Sequence, residues 1–183
     1  VRDLDDEQLM ALKENGGVVQ TVAFQSYVNP EKNQAHRDAL DKLEKSVAEE
    51  MGFELMGRRA RFGLSDSDRE AYDIAVRPVQ EAIDARVDAE VNSIAPPVDV
   101  SDLADHIDYL VNLIGLEHVG ISSDFDGGGG VEGWNDAAET FNVTLELVRR
   151  GYTEQQIGML WSGNLLRVLD EVQAVAAEIQ AGS

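Results

Sequence analysis

The chain has 183 residues, 27% charged and 43% hydrophobic, which is enough for one domain with a real core. Thirty-five acids against fifteen bases leave a formal net charge of -20, and such a surface repels nucleic-acid phosphates and anionic lipid. Cysteine is absent, which excludes a disulfide framework and a cysteine metal site, and no apolar run reaches the length of a membrane span.

The chain opens on Val1, directly before a helix-like segment, so the expectation is a piece of something longer. "RDLDDEQLMALKENGG" reads as a short helix: Asp3 or Asp5 can cap it, Leu9 and Leu12 share a face, and Gly16 stops it. "GVVQTVAF" (17–24) is β-branched and apolar, the pattern of a buried strand. "NPEKNQAHRDALDKLEKSVAEEMGF" is an amphipathic helix with Leu40, Leu43 and Val47 on one stripe. A second helix is predicted over about 65–93, on Val76, Val79, Ile83, Val87 and Val91, with Pro78 expected to kink or restart it. A third covers roughly 101–114, with Ile107, Leu110, Val111 and Ile114 inward and Gly115 as stop.

"HVGISSDF" is another short apolar strand, and the rest of the chain reads as helical. Segment 137–150 ends at Gly151, Thr153 and Gln156 make a capping box for 154–160, and "NLLRVLDEVQAVAAEIQ" closes the chain. Trp161 and the cluster Leu165, Leu166, Val168 and Leu169 fall at helical spacing and are expected in the core. Strands separated by helical crossovers are α/β logic with parallel pairing. Two strands alone leave both edges open, so further strands are expected outside the quoted sequence.

The chemistry concentrates in "HVGISSDFDGGGGVEGWND" (118–136), where Asp124 stands at the C-terminal end of its strand, the end that faces ligand in α/β proteins. A plain turn with two solvated acids is the bland reading. A calcium loop started at Asp124 puts Asp126 and Gly129 in the right places but offers Gly128 and Asn135 where oxygen ligands and a glutamate belong. A phosphatase with an aspartyl nucleophile needs a threonine where Gly128 stands and a later lysine, yet Lys45 is the last. The third reading is an acid/base aspartate at the last strand of a (β/α)8 barrel, beside a metal-bound water.

The long run "GISSDFDG", "EGWND", "LVRRGYTEQQI" and "GNLLRVL" closely resembles the C-terminal region of the membrane (renal) dipeptidase family of zinc peptidases, above all its bacterial members. "VRDLDDEQLMALKENGGVVQTVAF" resembles the stretch joining the sixth and seventh strands of that family's barrel. The resemblance is looser through about 30–100, where bacterial members carry extra helices. It implies an α/β fold, the C-terminal part of a (β/α)8 TIM-type barrel over 1–183 with a helical insertion at about 30–100. It also implies two zinc ions bridged by a carboxylate and a hydroxide and a dipeptide substrate; it leaves the oligomeric state open between a monomer and a homodimer, although members of that family often pair.

By motif position Asp124 is the proton-exchanging aspartate. Arg2 matches the arginine that grips the substrate's carboxylate, a role suited to its planar fork, although Asp3 stands where the family usually has Asn. Asp126, Gly127, Trp134 and Asn135 are expected near the pocket or supporting it, Asp126 as a loop-fixing acid rather than a catalyst. Trp134 and Asn135 either line the pocket or only close the loop.

The family's ligands are a His-x-Asp pair on the first strand, a bridging Glu on the third, and histidines ending the fifth and sixth. All precede the region matched here. "HID" at 106–108 spells His-x-Asp inside a helix, where residues two apart point to different sides. His36 reads as a solvated helix residue, and His118 precedes its strand at the end away from the site. No metal ligand is therefore assigned, the zinc ligands are expected upstream, and the chain by itself is expected to be inactive. The different-class alternative is a non-catalytic acidic barrel remnant that binds a partner. Localisation is not readable from the sequence.

Overall fold

The computed structural model describes residues 4–182, apart from the side chain of Arg58. In chain order the elements are α1 (Asp6–Glu14), β1 (Val19–Val22), α2 (Gln25–Val28), α3 (Pro30–Glu50), α4 (Arg58–Phe62), α5 (Asp66–Val87), α6 (Val100–Ile114), β2 (Val119–Ser122), α7 (Thr140–Arg149), α8 (Glu154–Gly158) and α9 (Asn164–Ala181). The class is α/β, mostly helical with a small parallel sheet. The chain divides into two compact units, one built from the residues up to Pro30 and from Val98 onward, the other from Glu31 to Pro97. No described helix is long and apolar enough to cross a membrane.

In the first unit Asp5 caps α1 in a reciprocal box with Gln8, and Gly16 turns the chain at φ 78°. β1 then pairs in parallel with β2: Val19 with Val119, Gln20 with Gly120, Thr21 with Ile121 and Val22 with Ser122. β1 is thus shorter than the run 17–24 predicts. Among the described residues the sheet holds these two strands alone, so each keeps an open edge. Ala23, Val119 and Ile121 meet Leu103, Ile107 and Ile114 of α6, Leu147 of α7 and Leu160 in the core. Period-two alternation turns Gln20, Val22, Gly120 and Ser122 away from the residues that enter this core.

α6 starts on a capping box between Asp99 and Asp102 and stops at Gly115, φ 97°. Arg150, after α7, clamps α7 to α6. Its guanidinium lies 2.6 Å from Asp105 and from Asp108 and 3.0 Å from Glu146, and donates to the carbonyl and hydroxyl of Ser101 at 2.9 Å. The Tyr152 hydroxyl donates to Asp108 at 2.6 Å, and burial followed by that bond pushes its pKa well above the ordinary tyrosine value. The capping box of Thr153 and Gln156 opens α8, which runs through a π-helical turn at Met159–Gly163 into α9. Buried Asn164 donates to the carbonyls of Leu116 and Val119 at 2.7 and 2.8 Å, tying α9 to the start of β2.

One expectation for this region fails. Leu165, Leu166 and Leu169 are 49%, 51% and 48% exposed, and Val168 is half-buried, so that cluster is no core. Helical spacing selects a face, but among the described residues nothing covers it. Trp161 is half-buried against the core, its indole N–H donating to Thr144 at 3.0 Å.

The second unit packs α3 with α5 and its π-helical continuation Asp88–Asn92 around Leu43, Val47, Ala48, Val79, Ile83 and Val91. The predicted stripes are the observed ones, with Leu40, Val76 and Val87 at their margin. α5 does not restart at Pro78. The carbonyl that Pro78 frees belongs to Ile74, and both residues are exposed, so water can satisfy it without a break. The short helix α4 has no counterpart in the sequence reading. His36 is not simply solvated: it is half-buried, with Nδ1 2.8 Å from the Ala95 carbonyl.

Candidate functional site

β2 ends at Ser122, and two residues later the backbone of Asp124 turns left-handed, at φ 62° and ψ 32°. It is the sole non-glycine residue with positive φ among the described residues. Such a conformation is costly for a residue with a Cβ, and aspartate is among the few that tolerate it. Strain of this kind gathers at working sites, where surrounding contacts enforce it.

Those contacts explain the four glycines. A Cβ on Gly127 would stand 2.2 Å from Asp124 Oδ1, and one on Gly129 would stand 2.4 Å from the Ser123 carbonyl oxygen and 2.8 Å from Asp124 Cβ. The loop therefore folds directly onto Asp124, in space that only glycine leaves open. Gly128 and Gly130 serve differently: their φ values of 95° and 133° carry the turn. The Asp124 carbonyl accepts from the N–H of Gly127 at 3.1 Å and of Gly129 at 2.7 Å. The Gly130 N–H donates to the Ala23 carbonyl at 2.5 Å, and Phe24 bridges to Gly130, so the loop is stitched to the end of β1. Further on, Glu132 exchanges backbone hydrogen bonds with Val98 and Val100, at 2.8 and 3.1 Å.

Trp134 is buried, 2% exposed, and its indole N–H donates to Thr140 at 3.1 Å. Its ring meets Phe125 edge-on at 5.4 Å and Trp161 at 5.7 Å. Asn135 is exposed, with its N–H on Glu139 at 2.6 Å. Asp126 is exposed in the turn Phe125–Gly127 and makes no hydrogen bond or ion pair among the described residues. Sequence reasoning missed Phe24, whose ring reaches to 3.9 Å from the Cβ position of Gly128 and stacks on Tyr27 at 4.7 Å. The available signal is its place just past the end of β1, the ligand-facing end of a parallel strand. His118 Nδ1 lies 2.8 Å from the Gly17 carbonyl, at the opposite ends of the strands from Asp124.

A family model described as Membrane dipeptidase (Peptidase family M19) matches residues 1–183. The chain belongs to the membrane dipeptidase family. A crystal structure of the probable dipeptidase PvdM from Pseudomonas aeruginosa is 35% identical and superposes with a TM-score of 0.60 over 94% of this chain and 41% of that one. Dipeptidase aclJ of Aspergillus oryzae is 41% identical over 46% of this chain and 20% of its own length. Dipeptidase 3 of Rattus norvegicus is 42% identical over 42% of this chain and 16% of its own length. The chain thus spans well under half of these membrane dipeptidase relatives.

Membrane dipeptidase membership raises the question of zinc. Among the described residues no three His, Cys, Asp or Glu side chains come together to hold a metal ion. The described residues therefore do not by themselves form the bimetal centre that the sequence resemblance implies. Arg2, the expected grip on the substrate carboxylate, lies outside the described residues.

Proposed function

We propose that this chain is the C-terminal part of a dipeptide-hydrolysing (β/α)8 barrel and that Asp124 is its proton-exchanging residue. The observation that carries the reading is the enforced left-handed backbone of Asp124 at the C-terminal end of β2, with Gly127 and Gly129 collapsed onto it. Membership of the dipeptidase family supports the reaction class. A carboxylate held there takes a proton from the attacking water and returns it to the departing amine. Left-handed geometry sets the direction in which the Asp124 side chain leaves the backbone, and Gly127 leaves room for its carboxylate, which suits a step sensitive to reach.

Arg2 is proposed to hold the free carboxylate of the dipeptide through a bidentate pair. Two zinc ions and a homodimer belong to the same reading. The zinc ligands would come from outside these 183 residues; what this chain supplies is the carboxylate of Asp124 and the guanidinium of Arg2. The test is release of amino acids from a panel of dipeptides by the polypeptide as its gene encodes it. Hydrolysis supports the reading. No hydrolysis of any dipeptide, with zinc supplied, removes it and leaves a non-catalytic barrel module.

A further inference from the structure

The second unit contains a cavity of roughly 560 Å³, within the range of small-molecule sites. Leu55, Tyr72, Val76 and Ile83 give it an apolar lining, and three charged side chains reach it: Glu44, Arg61 and Arg69. The two arginines have partners within the unit. Arg61 pairs with Asp73 at 2.7 Å, and Arg69 donates to the Leu64 carbonyl at 3.3 Å and lies 3.7 Å from Asp66. Glu44 differs, since it makes no hydrogen bond or ion pair among the described residues. Burial, and then the nearby Asp41, push its carboxyl above the usual carboxylate range. Water reaches this partly exposed carboxylate while the cavity is empty, so an occupant that expels the water leaves Glu44 unpaired unless it brings a cation.

We propose that this cavity binds a small molecule bearing a protonated primary amine on an apolar body, with the amine on Glu44 and the body against Leu55, Val76 and Ile83. An anion is disfavoured, because both arginines are engaged and the chain carries -20 overall. Neutral apolar compounds would leave Glu44 unpaired.

The test is calorimetric titration of the full chain with phenethylamine, its neutral isostere 2-phenylethanol and the anion 3-phenylpropionate. The expected result is saturable binding of one phenethylamine, about tenfold tighter than the alcohol, the usual worth of a charge-assisted bond. Glu44→Gln should lose about tenfold in affinity for the amine with an unchanged melting midpoint, whereas Asp41→Asn, a solvated acid on the same helix, should change it less than about twofold. Equal binding of alcohol and amine, preference for the anion, or a Glu44→Gln variant that binds like the parent would each overturn the proposal.

Discussion

Replacing Gly127 by alanine presses first on Asp124, whose side chain supplies the three nearest atoms. Gly127 does not adopt a positive φ, so the backbone accepts a Cβ there without strain. The new methyl would stand 2.2 Å from Asp124 Oδ1 and 2.8 Å from its Cγ. To reach even 3.0 Å the carboxylate must retreat by about 0.8 Å, and it can do so by turning its side chain, because the clash is with side-chain atoms. A misplacement near 1 Å of a reacting group costs on the order of 100-fold in rate. Gly127→Ala should therefore lower kcat for dipeptide hydrolysis by roughly 100-fold and change KM little, while the stability from urea unfolding moves by less than about 1 kcal/mol. Gly129→Ala is the contrast. There the Cβ meets the Ser123 and Asp124 carbonyl oxygens at 2.4 and 2.7 Å, backbone atoms that cannot swing aside, so stability should fall by about 1–3 kcal/mol. A Gly127→Ala enzyme with parental kcat would refute the placement of Asp124 as the proton-exchanging group.

The left-handed backbone of Asp124 makes Asp124→Ala about 1 kcal/mol less stable than Asp124→Gly in urea unfolding, and equal stabilities would show that the position is unstrained. The Tyr152 hydroxyl titrates higher folded than unfolded, so its contribution to stability is whole below the ordinary tyrosine value of about 10 and is lost as pH rises beyond it. Melting midpoints should fall above about pH 10, and Tyr152→Phe should fall less steeply; a parallel decline would acquit Tyr152. The net charge of -20 makes self-repulsion a general load on the fold, so raising ionic strength from about 0.01 to 1 M, which shortens the Debye length from about 30 to 3 Å, should raise the melting midpoint. A falling midpoint would mean that local pairs such as Arg150 with Asp105 and Asp108 outweigh the repulsion.

Much of the fold is legible wherever a signal is local. The caps at Asp5 and Thr153, the stops at Gly16 and Gly115, and the stripes of α3, α5 and α6 are consequences of neighbouring residues and a fixed helical period. The parallel pairing of β1 with β2 follows from strands joined by helical crossovers. What stays hidden depends on partners distant in sequence. Helical spacing cannot tell whether Leu165, Leu166 and Leu169 have anything to pack on, and in this chain they are exposed. Pro78 reads as a kink or a restart, yet its effect depends on whether water reaches the freed carbonyl. Motif and strand end mark Asp124 but not its left-handed backbone, and "GGGG" does not say that two of its members are there for lack of space. Trp134 stays between pocket and loop in the sequence, since an aromatic in a glycine-rich turn suits either until its ring partners are known.

The most direct measurement is the rate of dipeptide hydrolysis by the gene's full product with Asp124→Asn. Asparagine keeps the shape and tolerates the left-handed backbone, so the melting midpoint should stay within about 2 °C of the parent. The account predicts that kcat falls by about 10²–10⁴-fold, the usual share of a positioned acid–base group. A folded Asp124→Asn protein that hydrolyses dipeptides at the parental rate would contradict it.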